Sequence, residues 1–181
     1  MKKISLLLFV ILLLWNGICF ATLPVQKVEV LTQNRAGEPA ACSIIEKNIS
    51  GYFKTPLAAI VKVYEIIPGE LQLSPKLRVN KDFLRDTAVK NNVDIFIIAE
   101  LNDYYSVVTY NNYFGDNIQK TDIDTKIHIY IRKTDQYIVR NISRHYQGDE
   151  STIGSLDYLL RDILYEYNEL LQKYIPFNPQ Y

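Results

Sequence analysis

Strict alternation of apolar and polar residues marks the middle of this chain. Over residues 121–132, isoleucine or threonine occupies every odd position, and charged or aromatic side chains fill the even ones. A period of two is typical of a β-strand with one buried face and one solvated face. The apolar run at 95–101 has the composition of an antiparallel partner, with a reversal at 111–117. A third antiparallel strand is predicted at 137–146, after a turn at 133–136.

The alternation also sets the expected register of this hairpin. Pairing Leu101 with Ile127 places the apolar residues of both strands on one face, and it puts Tyr105 opposite Ile123 nearer the tip. The strands continue about ten residues beyond Leu101, which is roughly 30 Å at the usual rise per residue. A long projecting β-hairpin is therefore expected.

A helix flanked by two strands is predicted before the hairpin. Residues 25–31 and 60–67 are rich in β-branched side chains, and apolar residues recur at helical spacing over 40–53. Two strands joined by a helix form a right-handed crossover and lie parallel. After an irregular connection at 68–79, Asn80 is the expected N-cap of a short second helix, which ends near two asparagines that favour the left-handed conformation.

The end of the chain carries the most regular helical pattern. A broad apolar stripe predicts a long helix over 156–174, and a proline follows it. In the strand before this helix, Tyr137 and Val139 compete with Ile138 and Ile142 for the buried face, so its register is left open. The complete order βαβαβββα predicts an α+β fold, a mixed sheet of about five strands with helices packed on it.

The amino terminus has the pattern of a secretory signal peptide. A basic start precedes a nearly continuous apolar run at 4–15, and a small residue ends the segment 1–21. The alternative is an uncleaved membrane anchor, because an apolar span over 4–23 reaches bilayer length. Lipidation is not expected, since the residue before Cys19 is a large isoleucine. Residues 22–181 are then predicted to form a single α+β domain.

Charge and cysteine content exclude some classes of protein. Loss of residues 1–21 removes two of the 20 basic residues and none of the 20 acidic ones, which leaves a net charge of −2. A nucleic-acid-binding protein would show a concentrated basic face. Arg132, Arg140 and Arg144 suggest a basic row on adjacent strands, but nearby acidic residues offset it. The one remaining cysteine, Cys42, gives no disulfide framework and is interpreted as a small apolar helix residue.

One stretch of the chain resembles a known group of envelope proteins. FLRDTAVKNNVD at 83–94 runs directly into IFIIAEL at 95–101, and IHIYIR follows at 127–132. This arrangement is similar to the TolB amino-terminal-domain and curli-secretion lipoprotein group, with the penicillin-binding-protein activator lipoproteins, over residues 25–175. The resemblance implies an envelope protein that acts as a secretion-pore subunit, a synthase activator or a partner-binding domain, without catalysis. Glu100 stands where relatives usually carry glycine.

Acidic residues and histidines near the hairpin raise the question of a metal site. Asp122, Asp124 and His128 share a strand face, where the expected register puts Glu100 opposite His128. Residues four apart on a strand are roughly 13 Å apart, which is too far for one ion. His145 approaches Asp124 in only one of its two registers. No catalytic elbow or phosphate-loop spacing occurs either, so a solvated polar face is predicted, with no metal, cofactor or catalytic residue.

Aromatic side chains cluster near the end of the predicted hairpin. The cluster comprises Tyr104, Tyr105, Tyr110, Tyr113 and Phe114. One interpretation is that tyrosine, which favours strands, simply supports a long ribbon. The other is that this tip docks a partner protein, a membrane surface or a cell-wall glycan.

These patterns, with the resemblance, predict an exported bacterial cell-envelope accessory protein in the periplasm or another extracytoplasmic location. It would bind an envelope protein or a peptidoglycan component without catalysis. One alternative is a small extracytoplasmic metal-binding protein or hydrolase that uses Asp124, His128 or His145. Another is an oligomeric secretion-channel component. Assembly as a homo-oligomer and proximity to the membrane are left open.

Overall fold

The structure, a computed structural model, describes residues 25–54, 64–69, 73–113 and 115–176. In chain order the elements are β1 (Gln26–Asn34), α1 (Pro39–Tyr52), β2 (Tyr64–Ile67), α2 (Lys81–Lys90), β3 (Ile95–Asn111), β4 (Asp116–Ile131), β5 (Gln136–Asp149), α3 (Glu150–Ile153) and α4 (Leu156–Tyr174). A 3₁₀ turn at Arg132–Thr134 joins β4 to β5. The predicted elements are all present, and the short helix α3 is an addition that the sequence did not predict.

The strands form one mixed sheet in the order β2-β1-β3-β4-β5. β1 is parallel to both β2 and β3, whereas β3, β4 and β5 are antiparallel. The α+β class and the parallel arrangement of the first two strands are therefore confirmed. The expected leader at 1–21 and the first part of the expected second strand, 60–63, lie outside the described residues. Among the helices of the described residues, none has the length and apolar character needed to cross a bilayer.

One face of the sheet carries the larger core. α1 buries Ile45 and Ile49 there, and α4 buries Ile163 and Tyr167. The sheet contributes Val28, Val30, Ile97, Ala99, Leu101, Ile123, Ile127, Ile129 and Ile142. Each fully buried aliphatic side chain contributes about 1.5–3 kcal/mol relative to exposure. The alternation in the sequence selected this face correctly.

The opposite face of the sheet has a smaller core under α2. Leu84 and Ala88 of this helix pack against Phe96 and Ile98 of β3. Because elements cover both faces at this point, all residues of 95–101 are buried. A strand that is buried on both faces needs an uninterrupted apolar run, which explains the composition of this segment.

The register of the β3–β4 hairpin differs from the predicted one by two residues. Ile127 pairs with Ala99, and Ile129 pairs with Ile97. The expected pairing of Leu101 with Ile127 was therefore wrong, although the buried face was right. A shift of two residues keeps every side chain on its own face, so alternation alone does not distinguish the two registers.

The open question about the last strand is resolved in favour of the isoleucines. Ile138 lies opposite Ile129 and Ile142 opposite Thr125, on the face covered by α1 and α4. Tyr137 lies on the other face, against the smaller core.

Local signals at the ends of α2 also behave as expected. The Asn80 side chain accepts a hydrogen bond from the Phe83 N–H at 2.8 Å, so it is the N-cap. Of the two asparagines that follow the helix, Asn92 adopts a positive φ of 51°, whereas Asn91 does not. This turn directs the chain into β3.

Candidate partner-binding surface

Beyond the end of β1, the sheet continues as a three-stranded extension. β1 pairs with β3 only as far as Asn34 opposite Leu101, whereas β3 and β4 continue to Asn111 opposite Asp116. β5 accompanies β4 as far as Ile118. The distal extension is defined as residues 103–111 of β3, 116–124 of β4 and 143–149 of β5. Its β3 segment spans about 30 Å. Because β5 pairs with β4 along this region, the predicted long hairpin has a third strand along one side.

A β-bulge at the base of the distal extension decides which tyrosines are exposed. The register shifts between Leu101 and Asp103, and one extra residue reverses the faces of the strand beyond it. Tyr104 therefore lies opposite Ile123 and packs against the main core. Tyr105 points away and is 56% exposed. The expectation that Tyr105 faces Ile123 was wrong because the bulge has no signature in the alternation pattern.

The tip of the distal extension presents several large side chains to solvent. Tyr110 is 63% exposed and Tyr113 is 89% exposed, and Val108 beside them is also exposed. Gly115 closes the turn with a φ of 74°, a conformation that favours glycine. Phe114, the fifth predicted site residue, lies outside the described residues. Of the predicted cluster, Tyr105, Tyr110 and Tyr113 thus remain available for contact, and Tyr104 does not.

Polar side chains hold the strands of the distal extension together. Gln119 Nε2 donates to Ser106 Oγ at 3.0 Å and to Thr121 Oγ1 at 3.1 Å, and both Gln119 and Thr121 are buried. Nearer the tip, Asn117 Nδ2 donates to Glu150 Oε2 of α3 at 2.9 Å. Buried polar groups that are all hydrogen-bonded favour one defined arrangement of the strands. The exposed tyrosines therefore lie on strands that are held together by side-chain hydrogen bonds as well as by the backbone.

A buried contact between Glu100 and His128 lies at the base of the distal extension, where the sequence predicted a solvated face. Glu100 and His128 have side chains 3% and 2% exposed, and His128 Nε2 lies 3.3 Å from Glu100 Oε2. His128 Nδ1 lies 2.7 Å from the Tyr137 hydroxyl. In the observed register Glu100 is opposite Lys126 rather than His128, so the paired side chains meet diagonally.

The chain segment 73–79 explains this unexpected burial. Gln33 Nε2 donates to the backbone carbonyls of Ser74 and Leu77, and Arg35 Nη2 donates to the Leu77 carbonyl at 2.8 Å. The same guanidinium nitrogen lies 3.0 Å from Glu100 Oε1. An irregular segment leaves no periodic pattern in a sequence, so its role as a cover was not predictable. The available signal was Glu100 itself, a lone charge inside an apolar run.

The side chains around Glu100 determine the charge of this buried carboxyl. Burial raises the pKa of Glu100, but the contact and charge of His128, with the charges of Arg35 and Lys126, lower it to below its ordinary value. The carboxylate is therefore ionised at neutral pH. Because both members of the pair are almost fully buried, they hold the strands in place and do not face a substrate.

Of the residues of the metal hypothesis, the structure brings His145 and Asp122 together but not Asp124 and His128 with them. His145 Nδ1 lies 2.7 Å from Asp122 Oδ1, and both side chains are exposed. Asp124 instead accepts hydrogen bonds from Asn102 Nδ2 at 3.1 Å and from Ser143 Oγ at 2.6 Å. His128 is engaged with Glu100. Within the described ranges, no group of three histidine, cysteine or acidic residues has the geometry to hold a metal ion.

Cys42 is buried on α1. Burial, with the charge of Glu46, raises the pKa of its thiol to about 11. A thiol with this pKa is protonated at neutral pH and is a poor nucleophile. Its surroundings fit the interpretation of Cys42 as a small apolar helix residue.

Comparison with known proteins gives only remote similarities. No protein-family model and no curated protein matches the chain. A PelC dodecamer from Paraburkholderia phytofirmans is 11% identical with a TM-score of 0.45, over 81% of this chain and 86% of that one. A neuraminyllactose-binding hemagglutinin homolog from Helicobacter pylori is 8% identical with a TM-score of 0.49, over 82% and 86%. Lipoprotein GNA1162 from Neisseria meningitidis is 11% identical with a TM-score of 0.36, over 80% and 99%.

These similar structures are all bacterial proteins, and one is a lipoprotein by name. With identities of 8–11% and TM-scores below 0.5, the similarity is one of chain path, and no function transfers with it. The resemblance to the TolB amino-terminal-domain group remains a prediction, since no family model matches.

Proposed function

We propose that this protein is an exported accessory protein of the bacterial cell envelope that binds a partner through its distal extension, without catalysis. The observation that carries the proposal is the exposure of Tyr105, Tyr110 and Tyr113 on the part of the β3–β4 ribbon that lies beyond the end of β1. The signal-peptide pattern of residues 1–21 supports export. The resemblance of residues 25–175 to envelope proteins supports the compartment.

The shape of the distal extension supports binding on more than one side. Tyr105 is opposite Asp122 and Tyr110 is opposite Asn117, so the two tyrosines lie on opposite faces of the ribbon. No strand in the described part of the chain pairs with the outer edge of β3 here. A partner that contacts this edge would meet aromatic side chains above and below it.

The chemistry of the tip favours a protein or a glycan as the partner. Residues 104–113 contain no charged side chain. Tyrosine combines a large apolar ring with a hydroxyl, and it is enriched at interfaces for this reason. An anionic lipid surface or a nucleic acid would be contacted by lysine and arginine instead. The separation of Asp122, Asp124 and His128 further supports a role in binding over a role in metal chemistry.

Photocrosslinking in living cells tests the proposal. p-Benzoylphenylalanine is placed in the full-length chain at Tyr105, Tyr110 or Tyr113, and irradiated cells are analysed for covalent products. The matched control is Val89 of α2, an apolar side chain that is 61% exposed and distant in sequence from the tip. We expect a discrete product at two or more tip positions and none at Val89. Equal products at all four positions, or none at the tip, would refute the proposal.

A pull-down with cell-wall material separates the two kinds of partner. The purified protein and its Tyr110→Ala/Tyr113→Ala variant are sedimented with insoluble peptidoglycan. If the glycan is the partner, the wild type sediments and the variant stays in the supernatant. A protein partner gives crosslinks of defined mass in cells and no sedimentation. The chosen tyrosines are exposed, so the variant is expected to fold.

A further inference from the structure

The outer edge of β5 lies beside a groove under the carboxyl-terminal helix. β5 is the last strand of the sheet, and within the described residues no strand pairs with its outer edge. α4 lies beside this edge, so a groove of about 740 Å³ opens between the strand and the helix. An open strand edge next to a helix is the arrangement in which extended peptides bind by adding a strand.

The groove offers apolar contacts at one point and positive charge at the next. Ile138 of β5 and Leu170 and Tyr174 of α4 line it with partly buried apolar surface. Arg140 lies two residues further along β5, on the same face as Ile138, and it is exposed. Lys173 lines the opposite wall.

All three acidic residues that line the groove already have partners. Glu166 forms an ion pair with Arg144, Asp162 lies 3.5 Å from Arg161, and Glu169 interacts with a tyrosine hydroxyl. Arg140 and Lys173, by contrast, are within ion-pair distance of no acidic side chain in the described part of the chain. Lys173 Nζ lies over the Tyr174 ring, 5.2 Å from its centroid, so Arg140 is the charge that can attract a carboxylate from outside.

Charge disfavours one antiparallel pairing of the β5 edges of two copies of this chain. If two β5 strands pair antiparallel with Ile142 opposite its own counterpart, Arg140 of each copy lies opposite Arg144 of the other. Like charges directly opposite each other destabilise a strand pair. This register of self-association is therefore disfavoured, whereas a strand that carries an acidic residue opposite Arg140 is favoured by charge.

We propose that the edge of β5 binds an extended segment of another protein by strand addition. The segment carries an apolar residue opposite Ile138 and an acidic residue two positions away, opposite Arg140. The spacing of two is independent of strand direction, because side chains alternate in both parallel and antiparallel pairs. This binding surface is separate from the tyrosines of the distal extension, and the inference does not rest on the role proposed for them.

Peptide selection followed by titration tests the inference. Random dodecapeptides on phage are selected against the protein purified from cells that express the full-length chain. The expected consensus is an aliphatic or aromatic residue two positions from an acidic one. The best peptide is then synthesised with a fluorescent label and titrated by anisotropy. Arg140→Glu should weaken its binding about tenfold or more, because a close charge pair becomes repulsive. The matched control, Lys133→Glu, makes the same charge change in the neighbouring exposed turn and should leave binding unchanged.

Two further measurements distinguish strand addition from simple charge attraction. Exchanging the acidic residue of the peptide for lysine should restore binding to the Arg140→Glu variant. N-methylation of alternate peptide amides should abolish binding for one alternate set and spare the other, since only every second N–H faces the strand. Equal effects of both sets, equal binding by the Arg140→Glu variant, or no selected consensus would each overturn the inference.

Discussion

Replacing Glu100 with glutamine removes the negative charge that Arg35 and His128 share at the base of the distal extension. His128 is almost fully buried, whereas the Arg35 side chain is 32% exposed and partly screened by solvent. Breaking a buried pair outright costs about 3–5 kcal/mol. Because the amide retains one hydrogen bond to Arg35, we expect a loss of about 2 kcal/mol in the free energy of unfolding at pH 7. In a domain of this size that loss lowers the melting temperature by roughly 4–8 °C.

The same substitution should change how stability depends on pH. The pKa of Glu100 in the folded protein is below its ordinary value, so the unfolded state binds this proton more readily. Its contribution to stability is therefore complete above the unfolded carboxyl pKa, about 4.3, and is lost as the pH falls through the folded pKa. The difference in stability between the wild type and Glu100→Gln should be full at pH 7 and should shrink below about pH 4.

Urea unfolding at several pH values measures both effects. The only tryptophan, Trp15, lies in the expected leader, so unfolding is best followed by far-ultraviolet circular dichroism. Glu65→Gln on β2 is the matched control, because Glu65 is exposed and should change stability by less than about 0.5 kcal/mol. A Glu100→Gln variant that is as stable as this control would show that the buried pair does not stabilise the fold. The same loss at all pH values would show that the stabilisation does not depend on ionisation of Glu100.

Three further outcomes are expected. Tyr104→Ala should lower the free energy of unfolding by about 2 kcal/mol because its ring packs on the core, whereas Tyr105→Ala should cost under about 1 kcal/mol; similar losses in chemical denaturation would contradict the bulge. Asn80→Ala should lower the free energy of unfolding by about 1 kcal/mol because it removes the N-cap of α2. Asn80→Asp should keep most of that stability because aspartate also caps helices. Cys42 should react with a thiol reagent at pH 8 only after denaturant is added, and rapid labelling of the native protein would argue against its burial.

Much of the fold was predictable because periodicity reports which face of an element is buried. The isoleucines of β4 and the apolar stripe of α4 selected the core correctly, and Asn80 marked the start of a helix. Periodicity does not report register to better than two residues, so the pairing of Ile127 was misplaced. It also gave no sign of the bulge after Leu101, where no glycine or proline interrupts the strand.

The candidate site was only partly predictable for the same reason. Tyr110 and Tyr113 are exposed, as a partner-binding tip requires. The bulge determines that Tyr104 and not Tyr105 faces the core. The burial of Glu100 depends on a covering segment that has no repeat pattern of its own. The groove beside β5 depends on the position of a helix relative to a strand edge, which is a tertiary property.

The position of β1 between β2 and β3 has a consequence for the order of folding. β1 is synthesised first, yet its two neighbours follow only at Tyr64–Ile67 and at residues 95–101. The strands β3, β4 and β5 are consecutive in the chain and joined by short turns, so the contacts between them are more local than those of β1. β1 therefore has no partner strand until residues 64–67 have been made, and its pairing is complete only after residues 95–101.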